Sequence, residues 1–330
     1  MTVFGAYPRT RMRRFRQSEW VRALVREHQL SPSDLVQPLF IVEGRGKRET
    51  IANLPGIERV SIDLAVELAK KIRDAGIPAV ALFPHVDFSV KDSQGSEALN
   101  PNNLIVRTVE ALKAKVPNLG IICDVALDPY TDHGHDGVLD GDYVSNDASV
   151  DILVQQALVL AESGCDVVAP SDMMDGRVGA IRKALEESGH VNTLIMSYAV
   201  KYASKFYGPF REAVGSQSLL SGMSKESYQM DVANVNEALR EVALDIEEGA
   251  DFVMVKPGLP YLDVLRAVRQ TFSIPVFAYQ VSGEYAMLVS AAEKGVFDRI
   301  ESFLETLIAF KRAGASAIFT YVALDVAPHL

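Results

Sequence analysis

The sequence has few cysteines and no long apolar run. These two absences argue against a disulfide-rich protein and against a membrane protein. Only two cysteines occur in 330 residues, and both Cys123 and Cys165 lie in apolar stretches. We therefore expect reduced core residues rather than a disulfide framework or a cysteine metal site, and a reducing cytoplasm. No run approaches the roughly 18 apolar residues of a membrane helix. The N-terminus lacks the apolar segment of a signal peptide, so we expect no membrane association.

The chain also lacks an excess of positive charge. Its formal net charge is −10, which argues against binding to nucleic acid. The exception is the segment 1–28, which contains seven arginines and two acidic residues, Glu19 and Glu27. Its net charge is therefore +5, and the rest of the chain has a net charge of −15. A basic segment on an acidic body could dock on a neighbouring subunit. A solvated tail or a transit-like peptide is the alternative.

From residue 39 to the end, short apolar runs alternate with longer helical patterns. The runs are too short for helices, are rich in Val, Ile, Phe and Ala, and mostly lie between glycines or prolines, as strands do. The predicted strands are 39–42, 79–83, 120–125, 167–169, 193–197, 252–255, 276–279 and 317–319. The predicted helices are 63–75, 102–115, 148–163, 176–188, 232–248, 261–271, 284–294 and 299–313.

Eight strands followed by crossover helices predict a parallel sheet closed into a (β/α)8 TIM barrel. We assign 39–330 to the barrel and 1–38 to an N-terminal arm outside it. An open doubly wound sheet is the alternative, but no Gly-x-Gly-x-x-Gly follows the first strand. Two loops, 84–100 and 202–231, are long enough to be lids or binding loops, and both leave the carboxyl ends of strands.

Polar or ionisable side chains stand after most of the predicted strands. Because the carboxyl ends of barrel strands meet at one mouth, these residues predict an active site there. They are Asp124, Ser171, Asp172, Tyr198, Lys201, Lys256, Ser282 and Tyr321.

Two lysines in that set give the most specific indication of the chemistry. Lys256 directly follows a buried strand, so its amine should be partly desolvated, have a lowered pKa and serve as a Schiff-base nucleophile. Lys201 follows the preceding strand, and two neighbouring ammoniums would disfavour each other's charge. The alternatives are a lysine that extends to solvent or pairs with a carboxylate, and an ordinary loop cation.

Other candidates could bind carboxylates or a metal. Arg211 and Lys225 lie in the second long loop and suit a carboxylate, and the hydroxyls of Ser282 and Tyr321 suit another. Each of these could instead be a turn or packing residue. The loop 128–136 is dense in Asp and His and could hold a metal, but its spacing matches no zinc signature, which favours a polar turn satisfied by its own backbone.

Several long motifs resemble those of one enzyme family. The segments SYAVKYASKFYGPFR (197–211) and MVKPG (254–258) are similar to the two lysine motifs of the porphobilinogen synthase (5-aminolevulinate dehydratase) family. The segments PLFIVEG (38–44), APSDMMDGR (169–177) and YQVSGEY (279–285) also match. The similarity runs from the arginine-rich N-terminus to Tyr321.

The resemblance implies a hydro-lyase of tetrapyrrole and heme biosynthesis that condenses two 5-aminolevulinate molecules into porphobilinogen and two waters. It implies that Lys256 binds the propionate-side substrate and Lys201 the acetate-side substrate as Schiff bases. It also implies that the loop from 202 to about 225 closes as a lid. The acetate-side carboxylate would be held by Arg211 and Lys225, and the propionate-side carboxylate by Ser282 and Tyr321. Supporting active-site residues would be Asp124, Ser171, Tyr207, Asp128 and Asp136.

The resemblance also bears on metals and assembly. Zinc-using members have three cysteines where this chain has Ala126, Asp128 and Asp136, so we expect no active-site zinc. Metal-stimulated members bind an allosteric Mg²⁺ at a glutamate that matches Glu241. The alternative is that Glu241 belongs to a solvated acidic face with residues 245 and 248. The family forms homo-octamers through N-terminal arms, which suits the basic segment.

Two rival functions stay open at this stage. A class I Schiff-base aldolase uses the same barrel but needs one imine lysine rather than two. A non-catalytic barrel could serve as a binding or scaffold protein.

Overall fold

The computed structural model describes residues 5–216 and 224–330, and within them the chain folds into a closed parallel barrel. The eight barrel strands are β1 (Leu35–Val42), β2 (Ala79–His85), β3 (Gly120–Val125), β4 (Val167–Pro170), β5 (Leu194–Lys201), β6 (Phe252–Lys256), β7 (Val276–Tyr279) and β8 (Ala317–Phe319). Each pairs in parallel with the next, and the pairing of Leu35 with Ile318 closes the ring. The predicted TIM barrel is confirmed.

Within the described residues, eight helices of ten or more residues surround the barrel. They are α1 (Ile62–Asp74), α2 (Leu104–Lys115), α3 (Asn146–Glu162), α4 (Arg177–Glu187), α5 (Asn236–Glu247), α6 (Leu262–Thr271), α7 (Ser282–Glu293) and α8 (Arg299–Ala313). Both α7 and α8 lie between β7 and β8, and a four-residue helix, Ala323–Val326, and a 3-10 turn follow the last strand. Local signals set the helix ends. The Asn103 side chain caps α2, and Gly314 ends α8 with φ +119°.

Two strands extend four residues beyond a predicted end. Strand β1 begins at Leu35, four residues before the predicted boundary of the barrel, and Pro38 lies inside it opposite Ala81. Strand β5 runs past Ser197 to Lys201. In both cases a polar residue or a proline suggested a boundary, but the surrounding barrel buries these positions and keeps the strand regular.

The two long loops contain structure of their own. After β2 come short 3-10 turns, and after β5 the chain forms a helix, Gly208–Val214, that carries Arg211. We call this element the Arg211 helix. The rest of the predicted lid includes residues 217–223, which lie outside the described residues.

Two further segments lie outside the ring of barrel and helices. A hairpin formed by Arg48–Thr50 and Glu58–Val60 follows β1, and its second strand pairs with β1. Upstream, the described part of the N-terminal segment forms a short helix, Glu19–Leu24, whose Trp20 is 67% exposed. The two cysteines are free and buried, as expected. None of the helices in the described ranges is both long and apolar enough to span a membrane.

Candidate active site

The register between β5 and β6 places the two lysines side by side. Val253 pairs with Ser197, whereas Val255 pairs with Val200, so β5 contains one extra residue at a bulge between these pairs. The bulge brings Lys201 opposite Lys256; without it, Lys256 would lie opposite Val200. Paired residues on neighbouring strands lie about 4.8 Å apart and point to the same face. Both amines therefore face the barrel mouth.

The amine of Lys256 lies in an aromatic box. The side chain is 5% exposed, and ring centroids surround its Nζ at 4.8 to 5.4 Å. The rings belong to Tyr198, Tyr207, Phe210 and Tyr279. The pKa of Lys256 is lowered to about 7, first by burial and then by the positive charge of Lys201, against the opposing charge of nearby carboxylates. Lys256 thus has a large neutral fraction at physiological pH.

The amine of Lys201 lies in polar surroundings instead. Its Nζ donates a hydrogen bond to the carbonyl oxygen of Ser171 and lies 3.7 Å from Asp136 Oδ1. Asp136 Oδ2 is also 3.2 Å from the Nζ of Lys225. Burial by itself raises the pKa of Asp136, but Lys201 and Lys225 together outweigh it and hold that pKa below its usual range. One ionised carboxylate therefore lies within 4 Å of two buried lysine amines.

Two further carboxylates face the lysines. Asp124 lies in β3, and its Oδ1 is buried without a hydrogen-bond partner. Burial raises the pKa of Asp124 to about 6 although the charge of Lys256 opposes it. Burial also raises the pKa of Asp128, against the charge of Lys225 at 3.4 Å. The cleft therefore holds an acid, Asp124, that can gain and lose a proton close to neutral pH.

One tight cleft, with a cavity volume of about 20 Å³, brings together most of the predicted site residues. The two amines share it and are buried, as the two-lysine chemistry requires. The predicted residues that line it are Asp124, Asp128, Asp136, Ser171, Lys201, Tyr207, Arg211, Lys225 and Lys256. Phe210 and Gln229 line it as well. The sequence offered no signal for Gln229, whose amide nitrogen lies 3.4 Å from Asp136.

Ser282 and Tyr321 are not among the described residues that line this cleft, but Phe210 links them to it. The Ser282 hydroxyl accepts a hydrogen bond of 2.9 Å from the backbone N–H of Phe210. The ring of Tyr321 stacks on Phe40, which packs against Phe210, and its hydroxyl lies 3.3 Å from that of Tyr279. Both residues predicted to bind the propionate-side carboxylate therefore lie directly behind the aromatic box.

The structure corrects two expectations about acidic residues. The aspartates of the loop 128–136 are not satisfied by their own backbone, because Asp128 and Asp136 both pair with Lys225. In the described ranges no group of three or more His, Cys, Asp or Glu side chains is arranged to hold a metal. The alternative of a solvated acidic face on α5 is also wrong at Asp245, because this side chain is buried beside Arg177.

Glu241 opens onto a separate cavity of about 350 Å³ that is rich in oxygen donors. Carboxylates and amides of the neighbouring elements share its wall, namely Asn146, Asp175, Asn234 and Glu237. Burial raises the pKa of Glu241, against the charge of Arg177. Because the described residues contain no set of three acidic side chains placed to bind a metal directly, a Mg²⁺ ion here would be bound largely through retained waters.

The fold and the cleft define a class of protein, namely a (β/α)8-barrel enzyme with two buried lysines at the carboxyl ends of adjacent strands. Comparison with known proteins makes the class specific. Residues 9–329 match the family model "Delta-aminolevulinic acid dehydratase". The chain belongs to this family of hydro-lyases, and the predicted resemblance is confirmed.

Individual members of the family are similar to this chain over nearly its whole length. The delta-aminolevulinic acid dehydratase of Bradyrhizobium diazoefficiens is 56% identical over 97% of this chain and 90% of its own. That of Rhodobacter capsulatus is 48% identical over 96% of this chain and 95% of its own. The crystal structure of the Toxoplasma gondii enzyme, in complex with its product porphobilinogen, superposes with a TM-score of 0.95 at 46% identity, covering 97% of this chain and 91% of that one.

Proposed function

We propose that the protein is a porphobilinogen synthase that condenses two 5-aminolevulinate molecules, held as Schiff bases on Lys201 and Lys256, into porphobilinogen and two waters. The observation that carries this proposal is the pair of buried amines level with each other in one cleft. Two ketone substrates need two nucleophilic amines within reach of each other. An aldolase that forms a single imine needs only one such amine.

Lys256 acts on the first substrate. Its neutral amine attacks the ketone carbon, and loss of water from the carbinolamine leaves an imine. Asp124, with a pKa of about 6 beside a lysine of pKa about 7, can exchange a proton with this site at little energetic cost. The aromatic box excludes water from the imine and slows its hydrolysis.

Lys201 binds the second substrate, whose carboxylate we assign to Arg211 and Lys225. Lys225 is charged, since Asp128 and Asp136 outweigh burial and raise its pKa. A substrate carboxylate would add to this network. The hydroxyls of Ser282 and Tyr321 would hold the carboxylate of the first substrate. The Ser282 hydroxyl would then donate to that carboxylate instead of to the Phe206 carbonyl, and would still accept from Phe210 N–H.

A colour assay and a trapping experiment test this function together. Purified protein incubated with 5-aminolevulinate should form a product that turns pink with Ehrlich's reagent. A non-catalytic scaffold protein would form no such product. Borohydride reduction in the presence of substrate should label both Lys201 and Lys256. Label on one lysine, formed only with an aldol substrate, would favour the aldolase.

The pH dependence of imine formation should report on Lys256. Because its folded-state pKa is about 7, the rate of borohydride trapping at Lys256 should rise with pH through about 7 and level off above it. In Lys201→Met one source of that lowering is gone, so the rise should move to higher pH. Exposed Lys205, in the same segment, supplies the control Lys205→Met, whose profile should match wild type. An unmoved profile in Lys201→Met would contradict the coupling.

We also propose that the enzyme needs no zinc in the active site and is stimulated by Mg²⁺ bound at Glu241. Alanine and two aspartates at positions 126, 128 and 136 offer no thiolates, and both aspartates pair with Lys225. At Glu241 the ion would be held through one or two carboxylates and waters, with Glu237 and Asp175 as neighbours. Bound there, Mg²⁺ would supply positive charge beside α5.

Chelation should therefore lower activity without abolishing it. EDTA followed by Mg²⁺ should restore the rate roughly fivefold or more in wild type, an ordinary size for coupling between two sites. Glu241→Gln should lose this response and bind Mg²⁺ more weakly in calorimetry, whereas Glu247→Gln, at an exposed position of the same helix, should keep both. Activity lost completely to EDTA and restored only by zinc would refute the proposal.

We further infer a cytoplasmic homo-octamer built through the N-terminal arms. Free buried cysteines suit a reducing compartment, and the arm exposes Trp20 and Leu24 next to its arginines. Light scattering of the full chain, compared with a chain lacking residues 1–28, should show an octamer that becomes smaller on truncation.

A further inference from the structure

The hairpin after β1 is joined to the Arg211 helix across the barrel mouth. Arg59 lies in the second strand of the hairpin, opposite Phe40 of β1. Its Nη2 donates to the carbonyl oxygen of Glu212 and its Nε to that of Ala213, each at 2.7 Å. These two carbonyls belong to the last turn of the Arg211 helix, whose C-cap residue, Gly215, has φ +74°. One side chain thus connects segments more than 150 residues apart.

The chemistry of this contact suits a fixed attachment. The last carbonyls of a helix have no partners within it, and they favour a nearby cation. The planar guanidinium presents two donors in a fixed fork, which matches two successive carbonyls in a way that a lysine ammonium does not. The Arg59 side chain is only 13% exposed, and Glu49 at 3.3 Å holds its third edge.

A second contact of the hairpin reaches the same residue of the helix. The side-chain amide of Asn53 donates to Glu212 Oε2 at 2.5 Å, and its backbone N–H lies 3.3 Å from the same oxygen. The hairpin therefore binds both the backbone and the side chain of Glu212. The other end of the helix is held separately, by the bond from Phe210 N–H to Ser282.

We propose that Arg59 is a positioning residue for substrate binding: it holds the carboxyl end of the Arg211 helix in place, and so fixes the guanidinium of Arg211 over the cleft. The inference rests on the proposed function, in which Arg211 grips the carboxylate of the substrate on Lys201. Loss of Arg59 would leave the Phe210 end of the helix anchored, so binding on the Lys201 side should suffer more than binding on the Lys256 side.

The test compares Arg59→Ala and Arg59→Lys with Arg48→Ala, a hairpin arginine whose ion pair is with Glu58 in the same hairpin. Arg59→Ala should raise KM for 5-aminolevulinate roughly tenfold, the scale expected when a charged hydrogen-bonding clamp is lost, with a smaller effect on kcat. At subsaturating substrate, borohydride labelling should fall more at Lys201 than at Lys256. Arg59→Lys should lie between wild type and Arg59→Ala, and Arg48→Ala should match wild type.

A readout without substrate separates this inference from the proposed function. The amides of Gly215 and Ser216 donate to Glu212 and Arg211 carbonyls at the end of the helix, and their hydrogen exchange should speed up in Arg59→Ala but not in Arg48→Ala. Unchanged exchange, or equal losses of label at both lysines, would overturn the positioning role even if wild type makes porphobilinogen. A wild type that does not turn over substrate would instead refute the proposed function.

Discussion

Lys256→Met is expected to lower kcat for porphobilinogen formation by roughly 10⁴-fold or more, because it removes a covalent nucleophile and leaves only binding and proton transfer. Methionine has a similar length and is apolar, so it can lie in the same aromatic box without leaving a buried polar group. The fold should survive, since the amine is surrounded by rings rather than by ion-pair partners. Steady-state colour assays would measure the loss.

The comparison variants make this expectation specific. Lys201→Met should cause a loss of similar size, because both substrates must be held for the condensation. Lys205→Met should be close to wild type, since its side chain is 92% exposed. After borohydride treatment with 5-aminolevulinate, Lys256→Met should carry no label on the Lys256 peptide. A Lys256→Met enzyme that kept a tenth of wild-type kcat would end the Schiff-base assignment.

Arg177→Met is expected to lower the free energy of unfolding by about 3–5 kcal/mol, the usual cost of removing one partner from a buried ion pair. Arg177 is 2% exposed at the start of α4. It lies 3.5 Å from Asp172 and 3.6 Å from Asp245, and it donates to the Ser197 hydroxyl at 3.2 Å. Without the guanidinium, two buried carboxylates would lose the positive group that pairs with both of them.

The pH dependence of this loss follows from Asp172. Burial raises the pKa of Asp172 to about 6 even though Arg177 opposes the rise, so removing Arg177 should raise it further. The unfolded carboxyl titrates near 4, and a raised folded pKa means that the folded state binds the proton more tightly. The variant should therefore be least impaired at acidic pH and most impaired above about pH 7.

Thermal unfolding followed by circular dichroism would measure the effect. A decrease in the thermal midpoint of roughly 4–7 °C is expected at neutral pH. Lys183→Met is the matched control, because Lys183 lies on the same helix with its side chain 75% exposed and 3.9 Å from Glu187. Exposed pairs of this kind contribute at most about 1 kcal/mol. A midpoint for Arg177→Met equal to that of the control would contradict the structural role.

Asp172 also connects this network to the active site. It follows Ser171, whose carbonyl oxygen accepts the hydrogen bond from Lys201. Ser197 and Asp245 extend the network from β5 to α5, the helix that carries Glu241. The elements that hold Lys201 are therefore packed against the helix of the proposed Mg²⁺ site, which gives a physical route by which an ion there could act on the cleft.

The sequence by itself determined the order of strands and helices, the closed barrel and the family. Strand and helix signals are local, and they depend on apolar periodicity and on glycine or asparagine at helix ends. Because the carboxyl ends of all parallel barrel strands meet, the order alone placed Lys201, Lys256, Asp124 and Ser171 at one mouth. The long motifs around both lysines added the substrate and the expected roles.

Only the tertiary structure decided how these groups meet. The bulge that levels Lys201 with Lys256 is a property of pairing between strands, and no local pattern marks it. The same holds for Lys225 between two aspartates and for Arg59 on the Arg211 helix. Each pair joins residues that are far apart in the chain. Contacts of this kind, and the burial that shifts pKa values, exist only once the barrel has closed, because closure sets both the distances and the exclusion of water.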